Sequence, residues 1–441
     1  MTKLSRLAGI TGLAVGLAFG CLALGGFGAA RADDATITVM TTETSPDTQA
    51  AFDKIATAFE KENAGIKIKF QYVGFQDLNQ KLMQSLAAGA PPQLITISNQ
   101  YDLFQLAKQG AIAPVDGIID AIGKDDYFKR FLDANTLDGK VWGIPFSVGV
   151  NVLWYRKDLY EANGLKEAKT WDEYLHNVEA IAQASEKAGG TKIYGTALAI
   201  GNNSLTNDNT QNWMWSNGAT VFNAEGNVTL DQPQAVQSFA YLAKLAKFAP
   251  PGANNYSNNE MQNAFVTGAV AHTEYPFRLL SLLEKSAPKF LDVAVPMLHP
   301  VGPGQGAHPA SFLYVKSWAI AKSAPFQNET ARFVKFMETG ANKIAVMKSV
   351  PVHYWPPLKS VAENPVFLDQ PLLKTPAGQR SLKVLADAVN SGQVPLSESG
   401  VAVLKLGPVL QKRVIAATLE QIVVNGADPK ATVEAAAKGL K

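Results

Sequence analysis

The sequence predicts an α/β protein with two folding units, each a mainly parallel sheet flanked by helices. Two observations predict this fold class. Apolar residues with a period of two alternate along the chain with apolar residues spaced three or four apart, which is typical of strands followed by helices. The composition then shifts after Asn151 toward Asn, Ser, Thr and Trp. At about 150 residues per domain, the 441 residues suit two or three domains.

The first unit begins with three strand and helix repeats. Thr36–Met40, Ile66–Tyr72 and Leu94–Ile97 read as strands. Helices are predicted after Ser45-Pro46, from near Asp77, and through 103–110. Such βαβ repeats form a parallel sheet, which binds ligands beyond the carboxyl ends of its strands. The loops expected to carry ligand-binding residues are therefore 41–45, 73–76 and 98–102.

The segment 136–174 is predicted to connect the two units. Asp138-Gly139 is a tight-turn dipeptide, and the short apolar run behind it closes at Pro145. A second apolar run extends from Val148 to Tyr155. The small and polar residues between them, 147–151, suit a hinge or a wall that a ligand approaches closely, with an ordinary strand connection as the alternative.

The second unit is predicted from weaker signals. Its expected strands are Ile193–Ala199 and Ala269–Thr273, its expected helices are 171–187, 232–248 and 258–267, and the polar and aromatic stretch 202–218 is expected to be a loop. Further along the chain, a strand is expected at Ser317–Ala321 and a helix at 326–339.

Residues 1–32 have the composition of a secretory signal peptide. Lys3 and Arg6 precede a long apolar run, and Ala30-Arg31-Ala32 has the small-x-small pattern of a cleavage site. Cleavage after Ala32 is therefore expected. An uncleaved membrane anchor is the alternative, because about 20 apolar residues can span a bilayer. Lipidation at Cys21 is disfavoured by the residues before it, Ala18-Phe19-Gly20.

The mature chain is nearly neutral and has no cysteine. Removing residues 1–32 leaves 37 basic residues against 38 acidic ones and removes Cys21. This balance does not favour a nucleic-acid-binding face. Without thiols, disulfides, cysteine nucleophiles and cysteine-ligated zinc are excluded, so the fold must depend on a large core.

Catalytic and metal-binding patterns are not found in the sequence. The five histidines are scattered, and neither HExxH nor a nucleophile elbow occurs. Gly302-Pro303-Gly304-Gln305-Gly306 has no following Lys-Ser/Thr and is not a phosphate loop. We therefore expect no catalytic residue, metal or cofactor. A secreted carbohydrate-active hydrolase remains an alternative, for which Glu43, Asp102 and Asp208 are the candidate carboxylates.

Aromatic and amide side chains favour carbohydrate binding. Flat rings pack against the CH faces of sugars, while amides and carboxylates bind hydroxyl groups. The chain has seven Trp and twelve Tyr. Trp142, Trp154 and Trp171 are expected in the core, whereas Trp213, Trp215 and Phe277 fit either a core or a ligand-facing role.

Six stretches, in order, resemble family 1 extracellular solute-binding proteins, the sugar-binding components of bacterial ABC importers. They are LAAGAPPQLITIS (86–98), LAKQGAIAPVD (106–116), DGKVWGIPFSVGVNVLWYRKDLYEANGL with TWDEY (138–174), AFVTGAVAHTEYPF (264–277), WAIAKSAPFQNETARFVKFM (318–337) and VNGADPKATVEAA (424–436). The likeness covers nearly all of the mature chain and includes the maltose-binding and glycerol-3-phosphate-binding branches.

The resemblance implies a two-lobed periplasmic-binding-protein fold of class II type with three inter-lobe crossings, near 146–150, 311–317 and 348–353. The implied domains are a signal peptide at 1–32, an N-terminal lobe at 33–146 plus 317–349, and a C-terminal lobe at 147–316 plus 350–441. The implied function is capture of a carbohydrate (sugar, oligosaccharide or polyol) by hinge motion in the periplasm, and its delivery to membrane permease subunits. A monomer that binds no nucleic acid is expected.

The resemblance also implies which residues bind the ligand. They are Glu43, Thr44, Ser45, Gln76, Asn99, Gln100, Tyr101, Asp102, Ser147, Asn151, Asn209, Trp213, Tyr275, Phe277 and Arg413. Phe277 occupies the position of a stacking aromatic, usually tryptophan. Arg413 matches an arginine of the glycerol-3-phosphate-binding branch, and its helical spacing from Val409 and Ala416 places it beside an apolar face. An anionic glycerol or sugar derivative, such as glycerol-3-phosphate, is therefore the alternative ligand.

The first prediction concerns processing. We expect exported protein to begin at Asp33, because Ala30-Arg31-Ala32 fits the cleavage pattern. Intact-mass measurement checks this, and a mass that retains residues 1–32 or carries a lipid on Cys21 contradicts it.

Overall fold

The computed structural model describes residues 35–74 and 77–441. The predicted signal peptide and Gln76 lie outside the described residues. Ala35–Lys441 forms one compact unit. Within the described ranges, no helix combines the length and apolar character needed to cross a bilayer.

Ten strands are found in the described ranges. They are β1 (Ala35–Thr41), β2 (Ile66–Tyr72), β3 (Leu94–Ile97), β4 (Ile112–Ala113), β5 (Thr136–Leu137), β6 (Lys140–Val141), β7 (Ile144–Arg156), β8 (His272–Pro276), β9 (Ala294–Met297) and β10 (Phe312–Ala321).

The α-helices of the same ranges surround these strands. They are α1 (Pro46–Glu62), α2 (Leu78–Ala87), α3 (Gln100–Lys108), α4 (Asp116–Ile122), α5 (Lys129–Asp133), α6 (Lys157–Ala162), α7 (Trp171–Ala188), α8 (Ser204–Ser216), α9 (Pro233–Leu245), α10 (Asn258–Val266), α11 (Arg278–Ser286), α12 (Gln327–Glu338), α13 (Gly340–Lys348), α14 (Lys359–Ala362), α15 (Pro365–Leu368), α16 (Pro371–Lys374), α17 (Pro376–Ser391), α18 (Leu406–Gln411), α19 (Val414–Val423) and α20 (Pro429–Lys438).

The main sheet has the strand order β2-β1-β3-β10-β7-β8, with β4 added to β10 and β9 added to β7. Strand β1 runs parallel to β2 and β3, as predicted. The expectation of a mainly parallel second sheet is wrong, because β7 pairs antiparallel with β8, β9 and β10. Strands β7 and β10 are neighbours in the sheet, and the chain runs along them in opposite directions.

Strand β7 is continuous from Ile144 to Arg156, although the sequence predicted two runs separated by a hinge. Pro145 does not end the strand. The ladder instead shifts register between Lys316 and Ser317 of β10, which pair with Ser147 and Pro145. A bulge of this kind bends and twists a strand locally without ending it. The predicted Asp138-Gly139 turn is confirmed, with φ of 52° and 73°.

The predicted loop 202–218 is largely the helix α8, and this prediction was wrong. Asn203 caps the helix by accepting a hydrogen bond from Thr206 N at 3.0 Å. Helix α8 is buried on several sides, so its sequence lacks the apolar stripe that identifies a surface helix. The predicted strand Ile193–Ala199 is also absent from the described strands; it is an extended segment with one bridge, Tyr194 to Val270.

Helices α12 and α13 pack in the same core as α1 and β1, although they lie far away in sequence. Phe333 of α12 contacts Phe59 edge to face, with ring centroids 5.2 Å apart. Phe52 contacts Trp318 of β10 at 6.1 Å. These contacts, with Ile37 and Val39 of β1, make one apolar cluster.

A buried ion pair lies at the edge of this core, beside the start of β7. Glu338 and Lys343 have fully buried side chains in direct contact. Trp318 Nε1 donates to Glu338 at 2.8 Å, and Lys343 also donates to the carbonyl of Phe146. Burial raises the pKa of Glu338 and lowers that of Lys343. The pair therefore anchors β7 at a place where an unpaired charge would be costly.

The second prediction follows from this ion pair. Lys343→Met or Glu338→Gln alone should lower the free energy of unfolding by roughly 3–5 kcal/mol, because each leaves a buried polar partner uncompensated. The double variant should lose clearly less than the sum of the two. Urea unfolding checks this, with Lys129→Met in an exposed pair as the control. Additive losses in the double variant would show that the two side chains are not coupled.

Candidate ligand-binding site

One face of the β7 and β10 pair is partly open to solvent. Tyr314 lies opposite Gly149, and Lys316 lies opposite Ser147. Residues opposite each other point to the same face, and alternate residues of one strand lie about 6–7 Å apart. Gly149, Tyr314 and Lys316 are partly exposed, while the other residues of these two strands are buried. We call these three residues the floor.

Glu43 closes one end of the floor from the loop after β1. Its carboxylate accepts a hydrogen bond from Lys316 Nζ at 2.8 Å and another from the Tyr354 hydroxyl. Only 3% of Glu43 is exposed. The charge of Lys316 is therefore matched within the protein, and Glu43 holds three separate segments together.

The two residues after Glu43 differ in their surroundings. Thr44 is exposed. Ser45 caps α1, since its Oγ accepts a hydrogen bond from Thr48 N at 3.2 Å. Its side chain is thus already used for the helix start that the sequence predicted.

The start of α3 brings four of the expected residues together. Asn99 caps the helix by accepting from Asp102 N at 2.8 Å, and its Nδ2 donates to the Asp102 carboxylate at 2.8 Å. Gln100 is buried. The ring of Tyr101 packs directly on Gly407 of α18. Tyr101 Oη also lies 3.5 Å from Gln411 Oε1.

Helix α8 forms the other end of the floor. Asp208, the partly exposed acid of this helix, accepts a hydrogen bond from Tyr314 Oη at 2.9 Å. Burial raises the pKa of Asp208 to about 7, although the Tyr314 hydrogen bond opposes the rise. Glu43 and Asp208 thus lie at opposite ends of the floor, beside Lys316 and Tyr314 respectively.

Two amide side chains expected to bind the ligand are buried where α8 meets β7. Asn151 of β7 donates from Nδ2 to Asn209 Oδ1 at 3.4 Å. Both side chains are buried. Asn151 Oδ1, Asn209 Nδ2 and the hydroxyl of Ser147 have no hydrogen-bond partner among the described residues. Buried polar atoms of this kind require water or a ligand group as partner.

The expected stacking aromatics lie in the core. Trp213 is 1% exposed and packs between Tyr174 and Tyr241, with centroids at 5.3 and 5.4 Å. Phe277 packs edge to face on Trp154 at 5.7 Å. These rings present no open face to a sugar. The ring of Tyr314, in the floor, is partly exposed.

Tyr275, another expected ligand residue, is also buried. Its hydroxyl donates to Gln262 Oε1 at 2.7 Å. This bond uses the polar end of the side chain inside the second lobe.

Arg413 does not continue a helix, which contradicts the spacing argument. It lies between α18 and α19 with φ of 55°, and its side chain is exposed. Its guanidinium donates to the carbonyl of Asn202 at 3.2 Å. The break is held by Asn207, which donates to Leu410 O at 2.8 Å and accepts from Ala416 N at 2.9 Å. Left-handed backbone at a non-glycine residue gave no signal in the sequence.

Sequence reasoning missed Tyr314 and Lys316, and it noted Tyr354 only as part of an aromatic pair with Trp355 in a predicted loop. A signal for the first two exists, because they alternate with Leu313 and Val315 as polar positions do on a half-buried strand. The predicted strand began only at Ser317, so the alternation was not recognised. Asp208 was considered only as a hydrolase carboxylate. Among the described residues, no group of three or more His, Cys, Asp or Glu could hold a metal ion.

Comparisons with known proteins agree with these features. The model of the family described as bacterial extracellular solute-binding protein matches residues 43–344. YcjN of Escherichia coli strain K12, whose name describes it as an ABC transporter periplasmic-binding protein, is 27% identical over 429 residues, which cover 95% of each chain.

Two solved structures have a similar fold. Maltose-bound MalE3 of T. maritima has a TM-score of 0.76 at 18% identity, covering 92% of this chain and 99% of its own. A ribitol-bound ABC transporter solute-binding protein of Agrobacterium radiobacter K84 has a TM-score of 0.73 at 20% identity, covering 93% and 98%. These likenesses confirm the two-lobed α/β fold.

The third prediction concerns the contact of Tyr101 with Gly407. A methyl group at position 407 would overlap the Tyr101 ring, so Gly407→Ala should separate α3 from α18. We expect a larger radius of gyration by small-angle X-ray scattering. Gly117→Ala is the matched control, because that helical glycine has open space around it. Adding Tyr101→Ala should reverse the change, and an unchanged radius in Gly407→Ala contradicts the prediction.

Proposed function

The chain belongs to the bacterial extracellular solute-binding proteins, and we propose that it captures a neutral sugar, oligosaccharide or polyol between its lobes. The captured solute would be delivered to the membrane permease subunits of an ABC importer. The observation that supports a neutral ligand is the arrangement of charged side chains along the floor. Lys316 is already paired with Glu43, and Asp208 adds a carboxylate at the opposite end.

These side chains are suited to binding a ligand that has many hydroxyl groups. Asp208 can accept hydrogen bonds from a ligand hydroxyl, and the ring of Tyr314 offers an apolar face to its CH groups. The maltose and ribitol held by the two structural relatives support this ligand class. Of the residues expected from the sequence, Asn151 and Asn209 remain proposed ligand or water contacts, because both keep an unpaired amide atom.

An anionic glycerol or sugar derivative fits the floor less well. A phosphate over Tyr314 would lie between Asp208 and a lysine whose charge is already matched. Arg413, which favoured this alternative, is exposed and bonded to a backbone carbonyl. We therefore place the neutral solute first.

Binding without chemical turnover also suits these contacts. Glu43 and Asp208 are the acids at the two ends of the floor, and each accepts a hydrogen bond from a tyrosine hydroxyl. Glu43 is in addition neutralised by Lys316. A retaining or inverting hydrolase needs one carboxyl group as an acid and the other free to attack or to activate water.

Capture would work by closure of the two lobes. Tyr101 of α3 reaches Gly407 of α18 when the lobes are together, while the floor on β7 and β10 belongs to both lobes. A ligand that bridges the lobes stabilises the closed arrangement, which a permease can distinguish from the open one. The processing of residues 1–32 and the periplasmic location are part of the same proposal.

The fourth prediction tests this function. Purified mature protein is screened by thermal shift against neutral sugars and polyols and against glycerol and sugar phosphates. A neutral solute at a hundred times its dissociation constant should add about 2.7 kcal/mol to the free energy of unfolding. Asp208→Asn should weaken its binding, while Asp133→Asn, an exposed acid on α5, should not.

Two results would contradict the proposal. A stabilising phosphate ester with no stabilising neutral solute would favour the anionic alternative. Recovery of a chemically altered ligand after long incubation, detected by NMR, would favour the hydrolase.

A further inference from the structure

Beneath Asp208, a second acid is buried between α8 and the sheet. Glu274 of β8 is 3% exposed and accepts a hydrogen bond from Asn212 Nδ2 at 2.7 Å. Asn212 lies one helical turn after Asp208, so the two acids belong to neighbouring layers of the same helix face.

Among residues 35–74 and 77–441, no positively charged side chain forms an ion pair with Asp208. Asp208 is the one charged residue of α8. From β10 it receives the Tyr314 hydroxyl at 2.9 Å, and from β8 it experiences the charge of Glu274.

Other charged groups on elements near α8 are engaged elsewhere. Glu398 binds Trp215 Nε1 at 2.8 Å at the far end of the helix. Glu420 of α19 accepts from Asn202 N, and Arg413 donates to Asn202 O, both ahead of the helix. Lys316 of β10 is paired with Glu43.

His299 is an ionisable residue close to Glu274. His299 Nε2 lies 3.1 Å from Glu274 Oε2, and both residues are buried. His299 Nδ1 faces the carbonyl of Ala310 at 3.3 Å. Carboxylate, histidine and amide thus lie together between α8 and the sheet, and Glu274 Oε2, His299 Nε2 and Asn212 Oδ1 have no hydrogen-bond partner among the described residues.

Building on the proposed function, we propose that solute capture is coupled to loss of a proton from Asp208, and that Glu274 is a positioning residue that sets the pH range of this coupling. Glu274 acts through Asp208 and does not touch the solute. Two negative charges that lie close together repel each other, so the negative charge of Glu274 favours the protonated form of Asp208.

The direction of the pH effect follows from the chemistry of a carboxyl group. Burial raises the pKa of Asp208 to about 7, the Tyr314 hydrogen bond lowers it, and Glu274 raises it. The ionised form accepts hydrogen bonds from solute hydroxyls at both oxygens, whereas the protonated form has lost part of that capacity. Affinity should therefore rise as the pH rises through the titration of Asp208, and binding near pH 7 should release a proton.

The test begins without any solute, so that it is independent of the proposed function. Carboxyl carbons of ¹³C-labelled aspartate are titrated by NMR, and Asp208→Asn identifies the Asp208 signal. We expect a midpoint near 7. In Glu274→Gln, which can keep the hydrogen bond to Asn212, the midpoint should fall by about half a pH unit or more.

Glu398→Gln is the matched control, since it also removes a buried acid that contacts α8 but at the helix end away from Asp208. Its Asp208 midpoint should equal that of the wild type. A Glu274→Gln midpoint equal to the wild type, or equal shifts in both variants, overturns the role of Glu274.

Proton release is then measured with the neutral solute that gives the largest thermal shift. Calorimetry at pH 7 in phosphate and in Tris, which differ in ionisation enthalpy, should give different binding enthalpies for the wild type and equal ones for Asp208→Asn. Equal enthalpies in the wild type overturn the coupling. A normal Asp208 titration with no binding of any neutral solute would instead reject the proposed function.

Discussion

The antiparallel pairing of β7 with β10 is the constraint on which the rest of the structure depends. Strand β10 also pairs with β3 and β4, and β7 also pairs with β8 and β9, so their ladder joins the part of the sheet around Trp318 to the part that carries β8 and β9. A strand pair buried on most of its surface must keep one register, because a slip by one residue would turn every side chain to the wrong face. The bulge beside Lys316 is therefore a fixed feature of the ladder. It allows a local bend of the strand pair beside Lys316.

The same strand pair explains why residues of the proposed site also stabilise the fold. Lys316 is part of the floor, yet it also holds Glu43 from the loop after β1, and Glu43 in turn holds Tyr354. The buried pair of Glu338 and Lys343 fixes the start of β7 from the other side. Charged groups at these positions stabilise the arrangement only as matched sets, because each would be strongly destabilising if left alone.

Much of the first half of the fold could be predicted from the sequence, because its signals are local. Alternating residues identified β1 and β2, and Ser45 before a proline identified the start of α1. The site was less predictable. Helix α8 buries its polar residues against other polar residues, which leaves no periodic apolar stripe. The backbone of Arg413 turns left-handed without a glycine to mark it, so a single helix was expected where the structure has two.

The burial of α8 has a consequence for how such a protein diversifies. A substitution at Asn209, a proposed solute contact, would alter the proposed site and the core at once, so each new specificity gained there would carry a folding cost. Thr44 and Asn99 are exposed, and changes there leave the core intact. Descendants of this chain should therefore acquire new solute preferences first through these exposed loops, and the α8 layer should change late and in compensated steps.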